Sequence, residues 1–238
     1  MRLVSGLSIL LMIVWNYVGN SGILYPQNIS EVSVNWTTLF TPAGFTFAIW
    51  GLIYLLLAII AFEFVINANS SKELKGRTFN LILIQSLANG LWIHCFISSW
   101  LWLSLVFLLL LCVVNFLIII ENPGLKSWRN YAWSVYAGWT AVATVANASI
   151  VLVSVGIEAE SELTYRFTCV GVAFLTAFAA VKIKRYWIIF PVVWGLFGIA
   201  MSHYEVASMY YPAIMSAFFL LLFALNRMVR TLRFPEKS

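Results

Sequence analysis

Charge is scarce in this chain of 238 residues: only 10% of the residues are charged, and aspartate is absent altogether. A soluble domain carries about 25% charged residues, so the composition excludes an ordinary soluble protein. The chain is instead 62% hydrophobic, with a mean hydropathy of +0.92. These values are typical of an integral membrane protein.

Residues that support metal, redox or catalytic chemistry are also few. The three cysteines all fall in apolar segments, and neither their odd number nor their spacing matches a metal or redox motif. The sequence contains no G-x-S-x-G, no H-E-x-x-H and no phosphate-binding loop. We therefore expect no metal site, no catalytic residues and no conventional hydrolase or ATPase, while enzymatic activity of another kind stays open.

Long apolar runs make up most of the chain. A helix needs roughly 20 mostly apolar residues to cross a bilayer, and the runs lack the two-residue alternation of barrel strands. We predict an all-α fold, a polytopic membrane helical bundle with eight transmembrane helices. The spans cover approximately residues 3–24, 43–66, 79–120 (two helices with a tight turn near Ser98–Trp100), 131–153, 163–181, 186–202 and 206–228. Residues 25–42 are predicted to form a loop.

The positions of the basic residues predict the orientation. Lys and Arg favour the cytoplasmic side of short loops. With an N-in and C-in bundle, every Lys and Arg except Arg166 falls in an inside segment. The outside segments hold Glu31, Glu158, Glu160, Glu162 and Glu205. The net charge of +5 therefore reflects membrane topology, and no nucleic-acid partner is expected.

Aromatic and polar residues share helical faces in three of the spans. These faces are Thr46, Trp50 and Tyr54; Gln85, Asn89 and Trp92; and Trp139, Ala143 and Asn147. One interpretation is hydrogen bonding between helices together with aromatic belts at the membrane surface. The other is a cleft for a large planar apolar ligand, which flat indole and phenol rings suit. Three such faces on three helices, beside the aromatic-rich segment 36–54, leave both interpretations open.

Two ionisable residues also have alternative interpretations. His94 is either an axial ligand of a haem iron or, as we favour, a histidine held by hydrogen bonds inside the protein. Glu63 either reaches the membrane interface, as we favour, or takes part in coupled proton movement.

Four motifs occur in order along the first two thirds of the chain. They are W-x-x-L at Trp36–Leu39 followed by Pro42; W-G-L-I-Y at 50–54; Q-x-x-x-N-x-x-W at Gln85, Asn89 and Trp92; and Y-x-x-W-x-x-x-A-T-x-x-N at Tyr136, Trp139, Ala143, Thr144 and Asn147. Over about residues 1–155 the chain resembles the tryptophan-rich sensory proteins, also called translocator proteins or peripheral benzodiazepine receptors. It departs from them before the second span, where the loop is shorter and lacks the K-P-x-W and Pro-Pro elements.

The resemblance implies a five-helix translocator-like core over residues 1–155. Residues 156–238 would be a three-helix extension packed in the same membrane domain. We expect the extension to line a different cleft, to form an oligomer surface such as that of a homodimer, or to carry a second function. Because the chain carries no eukaryotic organelle signal, we expect a multi-pass protein of a bacterial inner (plasma) membrane.

The resemblance also implies a ligand. The family binds tetrapyrroles, so we expect a sensor or regulator whose ligand is a porphyrin, haem or a similar planar apolar molecule. The expected partners are this hydrophobic ligand and the lipid bilayer. The alternatives are a transporter of a small apolar or amphipathic molecule and a light-dependent porphyrin-degrading enzyme. The implied ligand-binding residues are Trp36, Phe45, Trp50, Tyr54, Asn89, Trp92, Trp139, Ala143 and Asn147.

Overall fold

A computed structural model describes residues 1–67, 76–123, 127–157 and 161–233 of the chain, excluding the side chains of 127 and 231–233. Several residues used for the topology prediction lie outside the described residues: Lys72, Lys75, Lys126, Glu158, Glu160 and Lys237. The described part contains helices and no strands, which confirms the all-α prediction.

Nine α-helices form the described part of the chain. They are α1 Arg2–Asn20, α2 Ile29–Asn35, α3 Ile49–Ile66, α4 Gly76–Ile97, α5 Leu101–Glu121, α6 Ser127–Ser154, α7 Glu162–Ile183, α8 Ile189–Ser202 and α9 Ala207–Arg233. Short 3-10 helices, Gly44–Ala48 and Tyr186–Ile188, lead into α3 and α8. Along the bundle α1 packs against α3 and α4, α5 lies between α4 and α6, and α8 lies between α6 and α9.

Seven helical segments of the described chain are long and apolar enough to cross a membrane. The segment Tyr186–Ser202, predicted as a full span, is apolar but shorter than the others. A hydrophobic stretch shorter than the bilayer is accommodated by local thinning or by flanking residues. The multi-pass membrane class is thus supported, whereas the count of eight spans and the N-in, C-in orientation stay predictions.

The segment predicted as a loop, 25–42, contains the short helix α2. The Asn28 side chain accepts a hydrogen bond from the Glu31 backbone N–H at 3.0 Å, and the Glu31 carboxylate accepts one from the Asn28 backbone N–H at 2.9 Å. This reciprocal capping box satisfies two otherwise unpaired donors and starts the helix. The loop prediction missed α2 because seven residues are too few to show a helical period.

Four basic residues lie at one end of the bundle, where each bonds a different segment. These contacts are Arg2 Nη1 to Asn67 O (3.5 Å), Arg77 to Glu121 (3.0 Å), Arg129 to Glu63 (2.9 Å) and Arg185 Nη2 to Pro123 O (3.0 Å). Arg166 lies at the opposite end, paired with Glu162 at 2.8 Å. Arg166 Nε also donates to Ser208 O at 3.2 Å. That carbonyl is available because Pro212, four residues later in α9, has no backbone N–H.

Glycines let α8 approach the rest of the bundle closely. A Cβ on Gly138 of α6 would lie 2.3 Å from the backbone oxygen of Ile188, and one on Gly195 of α8 would lie 2.7 Å from Val142. A Cβ on Gly198 of α8 would lie 2.0 Å from the Thr46 hydroxyl. Small residues allow helices to pack backbone to backbone in membranes. The α8 helix is therefore packed directly on α6 and on the entry to α3.

Candidate functional site

The aromatic residues of three helices meet at Trp50. Its ring stacks on Tyr54 of the same helix, α3, with centroids 5.5 Å apart, and on Trp92 of α4 at 5.1 Å. It also meets Trp139 and Tyr136 of α6 edge to face, at 6.1 and 6.3 Å. Stacked and edge-to-face rings at these separations attract one another. We call these five residues the aromatic cluster.

A series of hydrogen bonds holds the aromatic cluster to α1 and α4. Tyr54 OH donates to Asn16 Oδ1 at 2.8 Å, and Asn16 Nδ2 donates to Asn89 Oδ1 at 2.6 Å. Asn89 Nδ2 donates to the Tyr136 hydroxyl at 2.6 Å, and Gln85 Nε2 donates to the same hydroxyl at 3.3 Å. Polar groups within a bilayer must find partners inside the protein. The network therefore fixes how α1, α3, α4 and α6 face one another.

Three residues of this network, Asn16, Gln85 and Tyr136, were absent from the predicted site. Asn16 lies in an otherwise apolar stretch of α1, and Tyr136 belongs to the motif on α6. A buried amide in a membrane helix is a signal of an inward-facing position. That signal could have placed Asn16 at the site from the sequence, but helical period alone does not show which neighbour it meets.

Two indole donors in the aromatic cluster have no acceptor among the described residues. Trp92 is 3% exposed and Trp139 is 2% exposed, and the Nε1 atom of each lacks a hydrogen-bond partner in that part of the chain. A buried N–H without an acceptor costs free energy, commonly about 1–3 kcal/mol. These indoles are suited to donate to an acceptor oxygen on a ligand.

A central cavity lies between these indoles, α2 and α6. It has a volume of about 40 Å³. Five predicted ligand residues are in its wall, namely Trp50, Trp92, Trp139, Ala143 and Asn147. Sites for drug-sized ligands measure roughly 300–1,000 Å³, so a tetrapyrrole does not fit the central cavity in this conformation.

A larger cleft lies on the other side of Trp50, between α1, α2, α3 and α4. It has a volume of about 440 Å³, within the range of small-molecule sites. Its wall contains Trp50 and Tyr54 together with the polar side chains of Asn16, Asn20, Ser21 and Ser30. Ile29, Phe47 and Trp50 line both the cleft and the central cavity. A shift of the Trp50 side chain would therefore join the two spaces.

The remaining predicted residues are placed differently. Asn89 belongs to the hydrogen-bond network around Tyr136. In the described part of the chain it lines neither the cleft nor the central cavity. Trp36 ends α2 and is half-buried against the core. Phe45 is 46% exposed and packs on Trp194 and Phe197 of α8, with centroids 5.6 and 6.0 Å away. The ligand-binding role of all nine residues stays a prediction.

The segment 39–46 contributes Phe40 and Pro42 to the wall of the central cavity. It is held in place by α8 and by His203, the residue that follows α8. The His203 Nε2 atom hydrogen-bonds the Leu39 carbonyl oxygen at 2.9 Å, and the Ala43 N–H donates to the Gly198 carbonyl at 3.0 Å. Trp194 Nε1 donates to the Thr46 carbonyl at 2.8 Å. This segment lacks the proline-rich elements of the resembled family. The C-terminal helix α8 supplies the contacts that fix it here.

His94 is hydrogen-bonded, and it lines neither the cleft nor the central cavity. Its Nδ1 pairs with the Tyr25 hydroxyl at 2.5 Å, and its ring meets Trp100 edge to face at 5.5 Å. Burial and the nearby Cys95 raise the pKa of Tyr25, so the phenol in this hydrogen bond stays protonated. The favoured interpretation of His94, a hydrogen-bonded histidine, agrees with this geometry.

Glu63 also has a partner, because it forms an ion pair with Arg129. Both Nε and Nη2 of Arg129 lie 2.9 Å from its carboxylate oxygen Oε2, at the end of the bundle where the basic residues gather. Within the described residues, no group of three or more His, Cys, Asp or Glu side chains is placed to hold a metal ion.

The fold and the aromatic cluster define a polytopic α-helical membrane protein with a cleft of about 440 Å³ beside that cluster. The family model described as TSPO-like protein matches residues 2–226. The chain therefore belongs to the TSPO-like family. This match continues past residue 155, where the motif resemblance ends, and takes in α7, α8 and most of α9. No curated protein and no solved structure matches the chain.

Proposed function

We propose that this protein binds a planar, mostly apolar ligand of the tetrapyrrole class at Trp50 and acts as its sensor or regulator. The observation that carries the proposal is the position of Trp50 and the buried indoles behind it. On one side Trp50 walls a cleft of ligand size, and on the other it covers two buried indole N–H groups that lack acceptors.

The ligand's planar body would lie in the cleft against Trp50 and Tyr54. Its peripheral oxygen atoms, such as the carboxylates of a porphyrin, would accept hydrogen bonds from the Trp92 and Trp139 indoles once Trp50 moves aside. The small side chain of Ala143 leaves room for that movement. Because His94 is absent from both walls and bonded to Tyr25, the site suits a metal-free porphyrin as well as haem.

A route for signalling leads from the cleft to α8. Phe47 lines the cleft and belongs to the 3-10 helix whose Thr46 carbonyl accepts from Trp194. A ligand that displaces Trp50 and Phe47 would therefore shift the segment held by α8. A ligand shifts a conformational equilibrium only through such differential contacts, and this one reaches the C-terminal helices.

A spectral titration with protoporphyrin tests the proposal. The intact protein in lipid nanodiscs should show saturable quenching of tryptophan fluorescence and a shifted porphyrin absorption band. Gly51 lies in the cleft wall, and a Cβ added there meets no atom within 4 Å. We therefore expect the ring of Gly51→Phe to occupy part of the cleft at little cost to the packing of α3. We expect Gly51→Phe to weaken binding by about tenfold or more, which corresponds to about 1.4 kcal/mol.

Gly171→Phe is the matched control. A Cβ on Gly171 of α7 also meets no atom within 4 Å, and the residue lines neither the cleft nor the central cavity as described. This variant should bind protoporphyrin like the unchanged protein. Equal affinity of all three proteins, or quenching that never saturates, would refute the proposed site.

A further inference from the structure

A second cavity lies away from the cleft, between α6, α7 and α8. Its volume is about 200 Å³. The walls come from residues 141–146 of α6, 168–176 of α7 and 192–199 of α8, with Phe40 closing one side. Two of its three walls therefore belong to the C-terminal helices, to which the motif resemblance assigns no function.

The lining of this cavity is aliphatic and uncharged. Small side chains, Ala141 and Ala146, face it from α6, and Leu196 and Ile199 face it from α8. Its polar atoms come from Thr168, Thr176 and Cys169. The Thr176 hydroxyl donates to the Val172 carbonyl at 2.7 Å, so its hydrogen is already engaged. Among the described residues no charged side chain lines the cavity, which suits an uncharged aliphatic group.

The cavity opens towards the bilayer side of α7. Leu175, which is 69% exposed, lies in its wall, whereas Cys169 on the same helix is 1% exposed and lies at its inner end. In a membrane such an exposed leucine faces lipid. A hydrophobic molecule dissolved in the bilayer would therefore reach the cavity without passing through water.

The cavity is separated from the aromatic cluster by one layer of side chains. Phe40, Val142 and Ala146 line both this cavity and the central cavity. The Phe40 ring packs on Tyr165 of α7, with centroids 5.4 Å apart, and Tyr165 OH donates to the Met209 carbonyl of α9 at 3.0 Å. Phe40 is thus held by the C-terminal helices, so the two spaces are distinct but adjacent.

We propose that the α6–α7–α8 cavity is a second binding site, for an uncharged aliphatic or alicyclic group of a few carbon atoms that enters from the bilayer. Its size agrees with that ligand class, because an apolar cavity of about 150 Å³ in an engineered protein holds benzene. The site is independent of the tetrapyrrole proposal. The group belongs either to a free small hydrophobe or to the end of a lipid chain.

Photolabelling of the full chain in nanodiscs tests this site. One probe is an eight-carbon alkanol carrying a diazirine, and the other is a phospholipid with a diazirine near the end of its acyl chain. We expect the alkanol probe to label residues 168–176 and 192–199 saturably, and an excess of plain octanol to displace it. If the phospholipid probe instead gives that saturable labelling, the proposed chemistry holds and the source of the group is a lipid.

Val172→Phe fills the cavity from α7, whereas Val170→Phe adds the same group on the same helix at a position that is 43% exposed. Val172→Phe should lower the labelling about tenfold, and Val170→Phe should leave it unchanged. Val145→Leu, on α6, adds a smaller group to the cavity and is used if Val172→Phe does not fold.

Two results would overturn the proposal. One is labelling that does not saturate with either probe, and the other is labelling that Val172→Phe and Val145→Leu leave unchanged. Protoporphyrin binding should be the same in these variants, so failure here is distinct from failure of the tetrapyrrole site.

Discussion

Gly198→Ala tests how the C-terminal helices hold the segment that leads into α3. The added Cβ would lie 2.0 Å from Thr46 Oγ1, 2.7 Å from Thr46 Cγ2 and 2.9 Å from Thr46 Cβ. Rotation of the threonine side chain cannot relieve the contact, because its Cβ does not move with that rotation. Thr46 is 0% exposed, so the backbones of α8 and the 3-10 helix must separate.

We expect this variant to lose about 1–3 kcal/mol of unfolding free energy, the usual cost of overpacking a core. Titration of the purified protein with SDS in mixed micelles, followed by circular dichroism, measures that free energy. Gly171→Ala is the matched control, since its Cβ meets no atom within 4 Å. It should be neutral, or more stable by up to about 1 kcal/mol because alanine favours helix.

A double-mutant cycle sharpens the test. Thr46→Ala removes two of the three clashing atoms, and the Thr46 hydroxyl has no hydrogen-bond partner among the described residues. In the Thr46→Ala background, Gly198→Ala should therefore cost about 1 kcal/mol less than in the unchanged protein. An equal cost in both backgrounds, or no cost at all, would refute the close contact between α8 and Thr46.

Three further predictions concern the site and its surroundings. Tyr54→Phe removes the donor to Asn16 and should lower the free energy of unfolding by about 0.6 kcal/mol, the mean for such bonds in membranes, as the same SDS titration would show. Ala143→Val narrows the central cavity and should weaken protoporphyrin binding several-fold in the fluorescence titration, with little loss of stability because about 40 Å³ is available. Glu63→Gln breaks the ion pair with Arg129 and should lower the unfolding free energy by about 1 kcal/mol, since Glu63 is partly exposed, while protoporphyrin affinity stays unchanged.

Much of the helical bundle could be predicted from the sequence. The same is true of the helix faces that pack against one another at Trp50. Long apolar runs located the membrane helices, and the i, i+4 spacing of Trp50 and Tyr54 placed both rings on one face of α3. The expected partners on α4 and α6, Trp92 and Trp139, are in contact with Trp50. Periodicity gives the face of a helix reliably, because that face follows from covalent geometry alone.

Other parts of the site depend on contacts that periodicity does not specify. Gly198 in α8 gives no sign in the sequence that it meets Thr46, and nothing in α8 indicates that Trp194 binds the Thr46 carbonyl. The small volume of the central cavity depends on how rings from three helices interlock, which residue identity alone does not determine. The C-terminal helices therefore had no predicted contact with the site, although α8 holds the segment above it.

Light-driven oxidation by bound protoporphyrin tests the central claim most directly. Brief illumination of the complex in nanodiscs, in aerated buffer, converts dissolved dioxygen to singlet oxygen. The singlet oxygen oxidises residues close to the porphyrin, and peptide mass spectrometry identifies them. We expect Trp50 and Tyr54 of the cleft wall to be oxidised several-fold more in the unchanged protein than in Gly51→Phe. Oxidation confined to exposed residues such as Trp100 and Trp102, and equal in both proteins, would contradict that expectation.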